Sequence, residues 1–81
     1  MNKINFFEAI ALALEVDIEM ISMDLKIDSI PEWDSLGQLT ILSQIDDMTD
    51  GKAAEIPNIG TKESLHEIWE ALVEAGLASE T

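Results

Sequence analysis

The apolar positions of this chain fall into three stretches with helical spacing, and each stretch predicts an amphipathic helix. The first helix is predicted over residues 6–15. Asn5 is its expected N-cap, and Glu8 lies three residues later, where it could complete a capping box. The apolar face, spaced i, i+3, i+4 and i+7, consists of Phe7, Ile10, Ala11 and Leu14.

The second helix is predicted over residues 34–48. It begins at Asp34 or Ser35 and ends before residues 49–52, which have the composition of a turn. Its expected buried stripe consists of Leu39, Ile41, Leu42, Ile45 and Met48. The positions expected to face solvent are Gln38, Thr40, Ser43, Asp46 and Asp47.

The third helix is predicted over residues 61–75, with Thr61 as its N-cap. Glu63 in the first turn suits the positive end of the helix dipole. Gly76 is expected to form a left-handed C-cap, and Leu77 to supply its hydrophobic contact. The inner face consists of Leu65, Ile68, Trp69, Leu72 and Val73.

Both connections between these helices are expected to be compact. Residues 16–33 lack a helical period, and a connection of this length in a small domain has to be attached by its apolar side chains, with a short helical turn near residues 18–23. The side chains expected to attach it are Ile18, Ile21, Leu25, Ile27 and Ile30. Pro57 leaves room for one helical turn near residues 55–60. The sequence therefore predicts a single domain over residues 1–81, of the all-α class: a small bundle of three main helices plus one short helix.

The net charge of the chain indicates which kinds of molecule it is expected to bind. The formal net charge is −13, which repels nucleic acid and anionic lipid and favours basic patches on other proteins. There is no cysteine, and no apolar run is long enough to span a membrane. We expect a cytoplasmic monomer without membrane insertion. With 81 residues it has no room for a deep active-site cleft, so we do not expect an enzyme.

Two serines follow an aspartate and precede a large aliphatic residue, and their contexts differ. Ser29 lies before Ile30-Pro31, where proline disfavours a helix. Ser35 lies at the predicted start of the second helix, where free amide groups and the helix dipole suit a phosphate. Such a serine can be a capping residue, a nucleophile or an attachment point for a prosthetic group.

Self-contained catalysis and metal binding are both disfavoured. His66, the one histidine, lies on the last helix with no sign that it reaches Ser35, so no catalytic residue is predicted. A calcium loop starting at Asp46 would have Met48 and Pro57 at ligand positions, so no metal site is predicted. The two tryptophans, Trp33 and Trp69, are expected in or beside the core.

Several of these features together resemble the acyl carrier protein family, over residues 6–77. The resemblance rests on the acidic helical chain, the apolar first connection, the amphipathic last helix, and the segments Trp33-Asp34-Ser35-Leu36 and Ile56-Pro57. It implies an acyl-carrier-protein-like fold. It also implies that Ser35 carries 4'-phosphopantetheine, transferred from coenzyme A by a phosphopantetheinyl transferase that uses magnesium. The thiol of that arm would hold acyl groups as thioesters.

The resemblance further implies that the second helix is a recognition helix. Its partners would be acyl-transferring, acyl-activating or condensing enzymes with basic docking patches. In some relatives the acyl chain folds back between the helices, so the apolar interior is expected to serve as a sheath. The matching contact positions are Asp34, Leu36, Leu39, Asp46 and Asp47.

Some positions depart from carriers of fatty-acid synthesis. Glu32-Trp33 replaces a pair of small residues, and Thr40 and Ser43 stand where those carriers commonly have an acidic and an apolar residue. These departures favour a specialised pathway, such as polyketide, lipid or surface-polymer modification, over housekeeping fatty-acid synthesis. Two alternatives remain open: a D-alanyl or peptidyl carrier, and an unmodified acidic helical adaptor that binds a basic protein.

Overall fold

The computed structural model describes residues 1–79, which form three helices joined by two compact connections. The helices are α1 (Lys3–Leu14), α2 (Ser35–Met48) and α3 (Leu65–Glu74). Short 3-10 turns cover Ile18–Met20, Ala53–Glu55 and Ile59–Thr61. The described residues contain no strand, only an isolated antiparallel bridge between Lys26 and Ser64. The predicted all-α bundle is therefore confirmed, and the single turn expected at residues 55–60 is instead two.

One apolar core lies between the three helices and the first connection. The aromatic rings of Phe6 on α1 and Trp69 on α3 lie 5.1 Å apart, centroid to centroid. Both tryptophans belong to this core, as the sequence predicted. Its largest fully buried side chains are Trp33, Trp69, Phe6, Ile10, Ile41, Ile45, Leu65, Ile68 and Leu72.

Helix α1 begins three residues earlier than predicted, and the prediction of Asn5 as its N-cap is wrong. Asn2 is the N-cap, and its side chain accepts a hydrogen bond from the Asn5 amide at 2.8 Å. The Asn5 side chain accepts from the Asn2 amide, so Asn5 takes the place in the capping box that was expected for Glu8. Phe6 is fully buried, whereas Phe7 is only partly buried.

Helix α2 has the predicted bounds but a different buried face. Gln38, predicted to face solvent, is buried together with Ile41 and Ile45. Leu39 and Met48, predicted in the buried stripe, are 64% and 41% exposed. The hydrophobic pattern was misleading because the Gln38 amide finds hydrogen-bond partners inside the fold, so a polar side chain can be buried at this position.

Helix α3 begins at Leu65 rather than at residue 61. Ser64 is the N-cap, accepting from the Glu67 amide at 3.2 Å, so the prediction of Thr61 is wrong. The Thr61 hydroxyl instead donates to the Asn58 carbonyl and closes a 3-10 turn. The predicted C-cap is confirmed: Gly76 has φ 77°, and the Leu77 amide donates to the Leu72 carbonyl at 2.9 Å.

The first connection is attached to the start of α3 by backbone hydrogen bonds. The Ile27 amide donates to the Glu63 carbonyl at 2.8 Å, and the Leu65 amide donates to the Leu25 carbonyl at 3.0 Å. Of the apolar side chains expected to attach this connection, one is buried, three are partly buried and one is exposed: Ile21, then Leu25, Ile27 and Ile30, and finally Ile18.

Across residues 1–79, every helix is too short or too polar to cross a bilayer.

Candidate functional site at the start of helix α2

Ser35 is the first residue of α2, and its side chain is exposed. The residue before it, Asp34, is the N-cap: its carboxylate accepts from the Gly37 amide at 2.8 Å. The Asp34 carbonyl accepts from the Gln38 amide at 2.9 Å and begins the helical ladder. An Asp-Ser pair is common at the start of a helix because such side chains cap the helix. Here Asp34 is the cap, and the Ser35 hydroxyl takes no part in capping.

The two candidate serines differ in what their hydroxyl groups do. The Ser29 hydroxyl donates to the Lys26 carbonyl and accepts from the Lys26 amide, so it closes a tight turn. Within the described residues, the Ser35 hydroxyl has no hydrogen-bond partner. Of the two Asp-Ser pairs, only Asp34-Ser35 therefore presents an uncommitted hydroxyl at a helix start.

Two buried hydrogen bonds made by the Gln38 side chain, which we call the Gln38 bridge, support the start of α2. The Trp33 indole N–H donates to the Gln38 side-chain oxygen at 2.7 Å, and the Gln38 amide nitrogen donates to the Lys62 carbonyl at 2.8 Å. Trp33 is fully buried, and Gln38 is nearly so. The bridge connects the last residues of the first connection, the first turn of α2 and the end of the second connection. It holds the residues around Ser35 in place.

Gln38 was predicted to face solvent and not to support this site. A spacing signal was present: Gln38, Ile41 and Ile45 follow the i, i+3, i+7 pattern of one helix face. A polar residue on such a face is usually assigned to solvent, so this signal was outweighed by the polarity of the amide. Trp33, immediately before the site, was expected in the core but not as a hydrogen-bond donor to α2.

A group attached to Ser35 would lie beside an exposed apolar and acidic surface of α2. Leu36 and Leu39 are 72% and 64% exposed. Asp34 and Asp47 are also exposed, whereas Asp46 is partly buried and its carboxylate accepts from the Ala54 amide at 3.2 Å. The five predicted contact residues thus lie on one helix or at its cap, and Asp46 also attaches the second connection to α2.

The geometry at Ser35 suits a phosphodiester. The amides of Ser35 and Leu36, in the first turn of α2, have no acceptor among residues 1–79. Together with the helix dipole, these donors favour an anionic group close to the Ser35 oxygen. The Asp34 carboxylate lies next to the same hydroxyl in sequence and could help to hold a divalent cation during phosphoryl transfer.

Other candidate features lie elsewhere. The Nε2 of His66 is 3.0 Å from Oε1 of Glu70, one turn along α3, and both side chains are exposed. Within the described part of the chain, no three acidic, histidine or cysteine side chains are grouped to hold a metal ion. A surface cavity of about 560 Å³ lies between the second connection and the C-terminal half of α3, and no residue of α2 lines it.

Comparison of the chain with protein-family models, with curated proteins and with solved structures finds no match.

Proposed function

We propose that this protein is an acyl carrier protein whose Ser35 is esterified by 4'-phosphopantetheine. The observation that carries the proposal is the exposed Ser35 hydroxyl at the start of α2, which is not used for capping because Asp34 performs that role. A structural serine at this position would be expected to bond to the helix amides. An attachment site needs a hydroxyl that is free and held on a rigid element.

The proposed modification is a phosphoryl transfer. The Ser35 oxygen attacks the β-phosphorus of coenzyme A, a new P–O bond forms, and the bond to the adenosine bisphosphate leaving group breaks. The hydroxyl proton passes to a base on the transferase. The free amides at the start of α2 are placed to stabilise the phosphodiester that results. The terminal thiol of the arm supplies the sulfur that a chain without cysteine lacks.

The proposed partners follow from the exposed surface of α2. Leu36 and Leu39 offer apolar contacts next to Ser35, and a net charge of −13 attracts proteins with basic docking patches. These partners would be the phosphopantetheinyl transferase and enzymes that load, transfer or condense acyl groups. Within this class we favour a carrier of a specialised pathway, with a D-alanyl or peptidyl carrier as the nearest alternative.

Intact mass spectrometry tests the modification. The purified chain is incubated with coenzyme A, magnesium and a broad-specificity phosphopantetheinyl transferase. We expect the mass to rise by one phosphopantetheine group, and Ser35→Ala to abolish the gain. Ser29→Ala is the matched control, since it removes the hydroxyl of the other Asp-Ser pair, and it should be modified like the parent chain. A gain that persists in Ser35→Ala, or no gain at all, would reject the proposal.

A second candidate function is an unmodified adaptor that binds a basic protein through α2. The exposed leucines and the nearby carboxylates favour it, because they form a docking surface that needs no prosthetic group. An adaptor should keep its partner affinity in Ser35→Ala and lose it when Asp46 and Asp47 are replaced by lysine. Such an adaptor would also gain no phosphopantetheine in the mass measurement, so that measurement distinguishes the two functions.

A further inference from the structure

The packing around the start of α2 determines where a group carried by Ser35 can lie. An apolar chain on a flexible arm gains free energy by entering the helical core, because its surface is removed from water. From Ser35 it could pass on either side of the first turn of α2. One side faces the second connection, and the other faces the end of α1 and the first connection.

The side that faces the second connection is closed by the Gln38 bridge. The Gln38 side-chain oxygen accepts from the Trp33 indole N–H at 2.7 Å, and the side-chain nitrogen donates to the Lys62 carbonyl at 2.8 Å. Both polar atoms of the side chain are therefore already hydrogen-bonded. One turn further along, the backbone at Gly60 lies against Leu42: a Cβ at Gly60 would be 3.7 Å from Leu42 Cδ1. Opening this side would leave polar groups without partners in an apolar environment, which is costly.

The other side is closed by backbone. Gly37 approaches the Glu32 carbonyl oxygen so closely that a Cβ there would overlap it, and the same Cβ would lie 3.1 Å from Leu14 Cδ2. Trp33, two residues before Ser35, is fully buried and belongs to the apolar core. Neither side of the first turn of α2 therefore offers an apolar chain an open path to the core, and the surface cavity of about 560 Å³ is lined by no residue of α2.

We infer that a group carried on Ser35 stays outside the helical core, and that the site suits short or polar acyl groups. This inference rests on the proposed function and specifies its cargo. Short or polar groups lose little free energy by remaining in water, whereas a long hydrocarbon chain would stay exposed until a partner enzyme covered it. The inference replaces the expectation, drawn from the family resemblance, that the apolar interior acts as a sheath.

The absence of cysteine allows a test that needs no transferase. Ser35→Cys introduces the one thiol of the chain, which is then alkylated with maleimides that carry a flexible polar spacer ending in a methyl, hexyl or dodecyl group. We expect the three adducts to unfold at the same temperature and to show the Trp33 indole N–H resonance at the same position. An unfolding temperature that rises with chain length, together with a shift of that resonance, would overturn the inference.

Gln38→Ala in the Ser35→Cys background tests whether the bridge is what closes the site. With the bridge removed, we expect the dodecyl adduct, unlike the methyl adduct, to raise the unfolding temperature. Thr40→Ala, an exposed substitution on the same helix, should behave like the parent. Equal responses of the two variants would contradict the role assigned to Gln38. Because the chains are attached chemically, failure of the mass test rejects the proposed function without changing the outcome here.

Discussion

Individual residues at the start of α2 are restricted by their neighbours rather than by helix propensity. Gly37 is the clearest case, because it is a helical position where a larger residue would ordinarily be favoured. The Glu32 carbonyl oxygen occupies the space where its Cβ would be, and Leu14 is in contact from α1. Trp33, which follows Glu32, is held by the hydrogen bond from its indole to Gln38, so the Glu32 carbonyl has little freedom to move away.

We therefore expect Gly37→Ala to destabilise the protein. Alanine gains about 1 kcal/mol over glycine in a helix, but forced overpacking costs about 1–3 kcal/mol, and the backbone carbonyl has no alternative rotamer to relieve it. The net loss in the free energy of unfolding should be up to about 2 kcal/mol, measured by urea denaturation. Gly60→Ala is the matched control, since its Cβ would make only an ordinary contact with Leu42 at 3.7 Å. Equal stability of the two variants would contradict this account.

At the scale of elements, each main helix begins at a polar side chain that accepts a hydrogen bond from its first turn. The N-caps are Asn2, Asp34 and Ser64. At α2 the cap and the candidate attachment site are adjacent residues with separate roles, since Asp34 accepts from the Gly37 amide while the Ser35 side chain is exposed. This separation allows stability and modification to be measured independently.

Asp34→Ala should lower the free energy of unfolding by about 1 kcal/mol, because the amide of Gly37 loses its acceptor. Ser35→Ala should change it by less than about 0.5 kcal/mol, as expected of an exposed side chain without partners. Chemical denaturation of both variants measures the difference. Asp34→Asn keeps the cap and controls for the loss of charge. If Ser35→Ala were the more destabilising change, the serine would have a structural role and the case for attachment would weaken.

At the scale of the whole molecule, stability has to overcome strong charge repulsion. The chain carries a net charge of −13, and its described part measures 30 × 24 × 19 Å. At about 0.01 M ionic strength the screening length is about 30 Å, so repulsion acts across the entire molecule, whereas at 0.15 M it falls to about 8 Å. Among the described residues, the one close contact between a basic side-chain nitrogen and a carboxylate joins His66 to Glu70, so attraction does little to offset this repulsion.

The unfolding temperature should therefore rise as sodium chloride or magnesium chloride is added, because screening relieves repulsion in the compact state. Thermal melts followed by circular dichroism at several ionic strengths measure the effect. Replacing the exposed residues Glu8, Glu19 and Glu74 by glutamine removes three negative charges and should reduce the slope. An unfolding temperature that does not depend on ionic strength in the parent chain would show that charge repulsion is unimportant for this fold.

The sequence alone determined the three helices, the C-cap at Gly76 and the serine that begins α2, because helical periodicity and turn chemistry are local properties of the chain. Tertiary structure decided where α1 and α3 begin, since several polar residues near each start could serve as the cap. It also decided which side of α2 is buried. Gln38 faces the core because Trp33 and the Lys62 carbonyl, both outside α2, satisfy its amide, and no local pattern can show partners that only folding brings together.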